Sequence, residues 1–415
     1  MRQTMAATTA AGWVERKKKA SLEVLASFAA LALGVVTLAA GPLIPGIPSE
    51  SSLRDTGRYT QTHAVPEYAS LNLGIRMAYF DGRAVPMDGC SDPADFCLPG
   101  LSSEEHMIPQ GVAWWEAENL LLVSSYDVRH EDASVLFVLD GATGDLVASL
   151  PISIESGKPF RGHVGGIAVS DNNLYLTSGA SRIGYVPLSE VRKAISSFPA
   201  DGWPKDQEST ITIRGEKDLK ELLGGASTAY VSIQNGMLMT GNFYHKSSAF
   251  DLPADPDNGI RSLLVGFSLE GEDSSKEWEN IADAAVPSVA VAFPKSIDRI
   301  QDCIIDGDHI YVSSSYGRTK ESTFYAGTLQ KTDPIRDAFQ DTACYTVDED
   351  SVQRLCAMPM LEGFCIRERK DENAASAKEV LMITESGSAY YQEADDRNRV
   401  NASPTDTVWR MPLSE

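Results

Sequence analysis

Residues 163–178 read HVGGIAVSDNNLYLTS, and this stretch contains the repeating unit of the chain. An apolar run, Ile167–Val169, leads into the turn residues Asp171–Asn173. A second run, Leu174–Thr177, then alternates around Tyr175. Two strand-like runs joined by residues that tolerate the backbone angles of a turn predict a β-hairpin.

Similar hairpins recur along the chain, each with a first run, a turn and an apolar run that commonly ends in Ser or Thr. The turns Asn235-Gly236 and Asp306-Gly307 are strong hairpin signals. Five copies align at Gly111, Gly166, Tyr230, Asp302 and Gly363, with spacings of 55, 64, 72 and 61 residues.

Further strand candidates follow several of these hairpins, and four strands per repeat of this length are typical of a β-propeller blade. We therefore predict an all-β fold, with a β-propeller of five visible blades over residues 63–415. Residues 59–81 either supply the strand that closes the last blade or contain a sixth blade, and a β-sandwich with irregular hairpins is the competing fold. The better helix candidates are Leu188–Ser197 and Asp218–Leu223.

The first 62 residues differ in composition from the rest. Arg16 and Lys17–Lys19 form a basic cluster, and residues 24–41 carry no charge. An apolar helix of this length spans a bilayer core, and basic flanks favour a cytoplasmic N-terminus. We expect a cytoplasmic segment at 1–19, a hydrophobic transmembrane signal anchor at 20–44 and a linker at 45–62. A cleaved signal peptide over 20–44 is the alternative, because small residues end the apolar run.

The chain is acidic, with a formal net charge of −22. Nucleic acid is not expected as a partner, because phosphate binding needs a positive surface. The charge either keeps an exposed surface soluble or supplies carboxylates for a divalent cation such as Ca²⁺. The expected location is the cell membrane with the propeller extracytoplasmic, or secretion if the N-terminal segment is cleaved.

Six cysteines are present, and an even number outside the membrane predicts disulfides. We expect the local pairs Cys90–Cys97 and Cys344–Cys356, with Cys303–Cys365 as the remaining pair. The sequence contains no C-x-x-C, G-x-S-x-G, P-loop or H-E-x-x-H motif, so it offers no signature of a zinc, nucleophile or phosphate site.

Propeller geometry selects the candidate ligand-binding residues. In a four-stranded blade, the start of the innermost strand and the loop between the second and third strands open onto one face and surround the central channel. Polar residues at these places either bind a ligand or satisfy one another and bound water. The strand starts carry Gln110, His163, Gln301, Asp302 and Glu362, and the loops carry Tyr126, Asp127, His245, Tyr316, Arg318 and Glu385.

Three stretches, HVGGIAV at 163–169, SSSYGR at 313–318 and MLEGFCI at 360–366, carry a family resemblance. They resemble blades of the NHL and gluconolactonase-like β-propellers, and they are similar to exported actinobacterial propeller proteins of uncharacterised function. The resemblance covers roughly residues 105–413. It implies a divalent cation in the channel, often Ca²⁺, because Glu362-Gly363 looks like the Glu-Gly strand start of the gluconolactonase-like family. The positions of that family's Asn ligands carry Gln110, Gly165, Ala229 and Gln301 here.

Two functions follow from these features. The first is a membrane-tethered extracytoplasmic propeller that binds a small molecule, a glycan or a protein without catalysis. The alternative is a metal-dependent hydrolase of lactones or esters, in which Glu362 and Asp302 hold a cation that polarises a water.

Overall fold

A computed structural model of the chain describes residues 78–80, 83–85, 92–101, 106–198, 209–246, 252–271, 276–318, 320–357, 359–369, 377–392 and 407–413. The predicted cytoplasmic segment, the N-terminal hydrophobic helix, the linker and Cys90 lie outside these residues. Among the described helices, none is long and apolar enough to span a bilayer.

The described residues form an all-β fold with a few short helices. The helices are α1 (Leu188–Ser197), α2 (Glu277–Asp283) and α3 (Ala389–Gln392). The strands are β1 (Ala78–Phe80), β2 (Arg83–Val85), β3 (Asp92–Cys97), β4 (Met107–Trp115), β5 (Leu120–Asp127), β6 (Val135–Asp140), β7 (Leu146–Ile154), β8 (Ile167–Val169), β9 (Asn173–Gly179), β10 (Arg182–Pro187), β11 (Ile211–Asp218), β12 (Thr228–Gln234), β13 (Met237–Asn242), β14 (Leu263–Ser268), β15 (Val289–Ala292), β16 (Ile300–Asp306), β17 (His309–Ser314), β18 (Ser322–Lys331), β19 (Ala343–Val347), β20 (Gln353–Ala357), β21 (Leu361–Arg369), β22 (Ala377–Thr384) and β23 (Thr407–Pro412).

Two large sheets each combine a pair of antiparallel four-stranded groups. The first has the strand order β4-β5-β6-β7-β11-β10-β9-β8, and a short parallel pairing of β7 with β11 joins its halves. The second has the order β12-β13-β14-β15-β19-β18-β17-β16, joined by the parallel pair β15 and β19, with β20 added beside β18. In each sheet the first and last strands contact one another, so the sheet is nearly closed. A third sheet has the order β21-β22-β23-β3, and β1 pairs with β2.

The strands divide into five groups, which we number in chain order: β4–β7, β8–β11, β12–β15, β16–β20, and β21–β23 with β3. The first strands of these groups contact one another in a ring, in the order β4, β8, β12, β16, β21 and back to β4. We call β4, β8, β12, β16 and β21 the ring strands. Because they come from all parts of the described chain, the ring brings distant segments together.

Each neighbouring pair of groups encloses its own hydrophobic core. Groups 1 and 2 share a cluster around Leu122 and Leu176, and groups 2 and 3 share one around Tyr175. Further clusters lie between groups 3 and 4, groups 4 and 5, and groups 5 and 1. The middle strands are apolar on both faces for this reason, as in β6, where Val135–Leu139 are all buried.

Glycines allow the ring strands to approach at backbone contact. A Cβ atom on Gly166 would lie 2.1 Å from the amide nitrogen of Val231, and one on Gly363 would lie 3.0 Å from the Cα of Gly111. The Ser232 hydroxyl donates a 2.5 Å hydrogen bond to the carbonyl of Cys303 on the next ring strand. Gly166 and Gly363 therefore have no room for a side chain.

All five predicted hairpins are confirmed, and the strand pairs β4/β5, β8/β9, β12/β13, β16/β17 and β21/β22 form them. Asn235 and Gly236 have φ values of 51° and 68°, as a type I′ turn requires. The predicted helix Leu188–Ser197 is confirmed as α1, which buries Leu188, Val191 and Ala194 at helical spacing.

One prediction about secondary structure is wrong, because residues Asp218–Leu223 form the end of β11 and a turn rather than a helix. Residues 59–81 were expected either to supply the strand that closes the last blade or to contain a sixth blade, and of these the structure describes only Ala78–Phe80, which pairs with β2. The strand that pairs with β23 in the sheet of group 5 is Asp92–Cys97. Pro93 and two aspartates give residues 92–97 a low strand propensity, so the sequence did not indicate this strand, which pairs with β23.

The disulfides Cys344–Cys356 and Cys303–Cys365 are not formed, since Cys303, Cys344 and Cys365 are buried free thiols. Tyr345, the neighbour of Cys344, pairs with Lys331 of β18, whereas Cys356 pairs with Thr323 of the same strand. At strand spacing these two positions of β18 are about 25 Å apart. Cys344 and Cys356 are therefore too far apart for a disulfide. Cys303 packs between groups 3 and 4 and Cys365 between groups 5 and 1, so their thiols lie in different cores. The pairing of Cys90 with Cys97 lies outside the described side chains.

We predict that Gly166→Ala destabilises the fold by about 3 kcal/mol, because the added Cβ must displace backbone atoms of Val231. Gly327→Ala is the matched control, since its Cβ would meet side-chain atoms at 3.3 Å. Urea denaturation of the two variants measures the difference. Equal stability of the two variants would contradict close packing at Gly166.

Candidate functional site

Four of the ring strands begin with a β-bulge at an equivalent place. A bulge shifts the pairing register and re-aims a side chain, and bulges are common next to functional sites. Gln110, Gln301 and Glu362 lie within three of the shifted segments. The register shifts fall between Pro109 and Val112 in β4, Thr228 and Tyr230 in β12, Ile300 and Asp302 in β16, and Leu361 and Phe364 in β21.

Gln110 connects two residues that are far away in the sequence. Its Nε2 donates a 2.5 Å hydrogen bond to Oε1 of Glu385, which follows β22. Its Oε1 lies 3.3 Å from Nδ1 of His163, just before β8. Because the amide oxygen can only accept, this contact places the imidazole proton on Nδ1. Three of the predicted channel residues therefore form one hydrogen-bonded chain.

Glu362 and Asp302 occupy the adjoining ring strands β21 and β16. Oε1 of Glu362 accepts a 2.9 Å hydrogen bond from Nε2 of Gln301. The two carboxyl oxygens of Asp302 accept from the backbone N–H groups of Cys303 and Phe364, at 2.8 and 3.1 Å. Asp302 thus joins two ring strands, whereas Glu362 is paired with an amide.

Aromatic rings surround these polar groups. The ring of Tyr126 packs on that of His163, with 3.9 Å between centroids. Tyr391, in α3, hydrogen-bonds to the carboxyl group of Glu385. The guanidinium carbon of Arg318 lies 4.9 Å from the centroid of the Tyr391 ring and 5.1 Å from that of Tyr390, within the range of cation–π attraction.

We call this cluster the mouth. Its members come from groups 1, 2, 4 and 5 of the described chain, and Gln110, Tyr126, Glu362 and Arg318 are buried in it. His163 reaches the surface at its edge. The mouth consists of Gln110, Tyr126, His163, Gln301, Arg318, Glu362, Glu385, Tyr390 and Tyr391.

The electrostatics of the mouth disfavour negative charge. Burial raises the pKa of Glu385 to about 7, although the hydrogen bonds from Tyr391 and Gln110 and the charge of Arg318 act in the opposite direction. Burial, and then repulsion by Glu385 and Asp302, raise the pKa of Glu362 well above its usual value. Glu385 is therefore poised to take up or release a proton near neutral pH, and the neutral form of Glu362 is favoured.

His163 is exposed on one side, and the groups packed on its other side partly desolvate it. This desolvation lowers the pKa of His163, and the nearby His130 adds to the effect. Burial, followed by the charges of Glu385 and Glu362, raises the pKa of the Tyr126 hydroxyl. At neutral pH, Tyr126 is thus a neutral hydroxyl and His163 is a neutral imidazole.

Besides Asp302, which joins two ring strands, three predicted site residues lie outside the mouth. Asp127 is buried, and its carboxylate accepts from the backbone N–H groups of Arg129, Glu131 and Asp132, so it holds a loop. These hydrogen bonds outweigh burial and lower the pKa of Asp127. His245 and Tyr316 form a second aromatic pair, with 3.8 Å between ring centroids.

Residues that the sequence analysis missed include Tyr390, Tyr391 and His130, whose ring lies 5.7 Å from that of Tyr126. Tyr390 and Tyr391 follow the predicted loop residue Glu385 by five and six positions. The sequence did contain a signal for Tyr390 and Tyr391, because two adjacent aromatic residues stand in a loop that was expected to lie at the channel.

A cation site at Glu362 and Asp302 remains a prediction. In the described parts of the chain, no three His, Cys, Asp or Glu side chains are placed to hold a metal ion together. Ca²⁺ takes six to eight oxygen ligands. These two carboxyl groups would need further ligands from backbone, amides or water.

The protein should become less stable as the pH rises from 5 to 8. An acid with a raised pKa binds more protons in the folded than in the unfolded state, so its contribution is present below its unfolded pKa and is lost as the pH passes its folded pKa. For Glu385 the loss is up to about 1.4 kcal/mol per pH unit, less where water reaches the mouth. Urea denaturation across this range measures the slope.

Glu385→Gln should flatten this slope and stabilise the protein at pH 8, because the amide cannot ionise. Glu221→Gln changes an exposed glutamate and is the control. The depressed pKa of His163 opposes the trend below about pH 6.5, so the comparison is between variants at each pH. An unchanged slope in Glu385→Gln would contradict a raised pKa at this position.

No family model matches the chain, and no curated protein matches its sequence, so neither an NHL nor a gluconolactonase family is shown. Similar solved structures include glutaminyl cyclase from Myxococcus xanthus, at 9% identity and a TM-score of 0.35, covering 74% of this chain and 93% of that one. The tail fiber of Staphylococcus aureus phage P68 is 12% identical, with a TM-score of 0.37, covering 76% of this chain and 52% of that one. The computationally designed Ika4 protein is 8% identical, with a TM-score of 0.26 and coverages of 56% and 90%.

Proposed function

We propose that residues 63–415 form a five-bladed β-propeller that acts as a binding module, with the mouth as its ligand site. The ring of five first strands and the five hydrophobic clusters between neighbouring groups support this architecture. In a propeller, the face that carries the inner-strand starts is a concave site for ligands. The described strand β3 would close the last blade by pairing with β23.

The observation that carries the binding function is the hydrogen-bonded chain His163–Gln110–Glu385. It joins residues 53 and 275 positions apart in the sequence. Polar groups held in place by one another are pre-organised, which lowers the entropy cost of binding. A small molecule with several hydrogen-bonding groups fits this site better than a glycan or protein surface, because Gln110 and Glu362 are buried.

We further propose that the propeller is extracytoplasmic and tethered by residues 20–44, with 1–19 in the cytoplasm and 45–62 as the linker. The apolar composition of residues 24–41 and the basic cluster at 16–19 support this orientation. Secretion after cleavage is the alternative. The cysteines give no support to either, because the described thiols are free.

The metal-dependent hydrolase is the second candidate. The charge of Asp302 disfavours ionisation of Glu362, so the two carboxyl groups are close enough to act on one cation. Against this, each oxygen of Asp302 already accepts a backbone hydrogen bond. We therefore place binding without catalysis first.

Thermal melts of the full chain in mild detergent test the binding function. Sugars, amino acids, amines and small organic acids are screened in the presence of EDTA, and a ligand at 100 times its Kd adds about 2.7 kcal/mol to stability. At least one compound should raise the melting temperature. Gln110→Ala should abolish the shift, and the exposed Gln330→Ala should keep it.

The outcomes separate the two functions. A screen without hits, or hits that persist unchanged in Gln110→Ala, would contradict a ligand site at the mouth. We expect Ca²⁺ in place of EDTA to leave the melting temperature unchanged. A rise with Ca²⁺ that is lost in Glu362→Gln would favour the hydrolase instead.

A further inference from the structure

Two histidines from different strand groups lie side by side at the edge of the mouth. His130 lies in the loop after β5, in group 1, and His163 immediately precedes the strands of group 2. Their ring centroids are 5.9 Å apart, and the rings are inclined at 43° to one another. Both residues are exposed, so a solute can reach them directly. The fold thus brings together two accessible imidazoles.

Hydrogen bonds fix the same tautomer in both rings. Nδ1 of His130 lies 2.8 Å from the backbone carbonyl oxygen of Arg161, which can only accept, so Nδ1 carries the proton. Nδ1 of His163 faces Oε1 of Gln110. That amide is oriented by its Nε2, which donates to the carbonyl of Pro109. Nε2 is therefore the lone-pair nitrogen of each ring, and within the described chain no hydrogen bond occupies it.

The loop that carries His130 is held in place by Asp127. The carboxylate of Asp127 accepts from three backbone N–H groups of the loop, and its carbonyl accepts from the N–H of His130 at 2.9 Å. His130 has a φ of 55°, a left-handed conformation that is uncommon for residues other than glycine. Residues held in such conformations cluster at functional sites, where the surrounding structure maintains them.

This arrangement is typical of histidines that bind a metal ion. A metal-bound histidine almost always donates its other ring N–H to an oxygen acceptor, which orients the ring and fixes its tautomer. His130 and His163 both have such an acceptor. With Zn–N bonds of about 2.0–2.1 Å, two imidazoles on one tetrahedral Zn²⁺ have ring centroids roughly 5–6 Å apart. The separation of 5.9 Å lies within this range.

We infer that His130 and His163 bind one divalent transition-metal ion, such as Zn²⁺, Ni²⁺ or Cu²⁺, through their Nε2 atoms. Imidazole suits these ions, whereas Ca²⁺ and Mg²⁺ take oxygen ligands. Desolvation lowers the pKa of His163, which favours the neutral form that a metal ligand needs. In the described chain no three His, Cys, Asp or Glu side chains are placed to hold one ion, so water supplies the remaining ligands.

Calorimetric titration of the full chain, in mild detergent and without a histidine tag, tests the site with the metal alone. Zn²⁺ should bind, and Mg²⁺ should not. His130→Ala and His163→Ala should each weaken Zn²⁺ binding at least tenfold, because either change leaves a single imidazole ligand. His309→Ala removes another exposed histidine, at the start of β17, and should bind Zn²⁺ as the unchanged chain does.

The electron paramagnetic resonance spectrum of bound Cu²⁺ tests the same site in the unchanged chain. With one equivalent of Cu²⁺, the spectrum should show coupling to two imidazole nitrogens. Each variant is first checked for a cooperative thermal transition in EDTA. If a variant fails to fold, the Cu²⁺ spectrum decides the question, and coupling to one imidazole nitrogen or to none would overturn the inference.

Absence of Zn²⁺ binding at 1 mM would also overturn the inference. Zn²⁺ binding that survives either His130→Ala or His163→Ala would overturn it as well, since the ion would then bind to one histidine or elsewhere. These results are independent of the small-molecule site, because its ligands are screened in EDTA. A hit in that screen that is lost in Gln110→Ala would retain the proposed binding function even where Zn²⁺ does not bind.

Discussion

Close approach of the ring strands is the constraint on which the rest of this structure depends. Gly111, Gly166 and Gly363 let neighbouring strands meet at backbone contact, where even a methyl group would collide with main-chain atoms. This approach leaves the larger side chains to fill five separate cores between the strand groups. Packing at the centre therefore fixes both the cores and the positions of the strand starts.

The packing of the ring strands also determines where the residues of the mouth lie. Bulges at the starts of β4, β16 and β21 interrupt regular pairing and carry Gln110, Gln301 and Glu362. Because Gln110 and Glu362 are buried and Gln301 is half-buried, their hydrogen bonds are strengthened and an uncompensated charge among them is costly. The same burial that orients Gln110 against Glu385 raises the pKa values of the glutamates. Burial is therefore the common cause of the fixed side-chain positions and of the raised pKa values of the glutamates in the mouth.

The local features of the fold were predictable, since Asn-Gly and Asp-Gly turns and alternating apolar runs are encoded over short distances. The grouping of most candidate residues in the mouth was also predictable, because hairpin positions identify strand starts, and their role in binding stays a prediction. The pairing of β3 with β23 and the joining of β7 to β11 depend on distant partners, so the sequence contained no local signal for them. The prediction of a Cys303–Cys365 disulfide failed for the same reason, because these two cysteines face different cores. The loop-holding hydrogen bonds of Asp127 had no signal in the sequence, because turn-holding and ligand-binding aspartates look alike there.

A double-mutant cycle between Gln110 and Glu385 tests most directly whether the ring brings distant residues together. The residues are 275 positions apart, and a 2.5 Å hydrogen bond joins their side chains. Urea denaturation of Gln110→Ala, Glu385→Ala and the double variant gives the coupling free energy. We predict a coupling of about 1–3 kcal/mol, as for contacting groups in one buried network. Additivity of the two single substitutions within about 0.5 kcal/mol would contradict the contact and the ring that creates it.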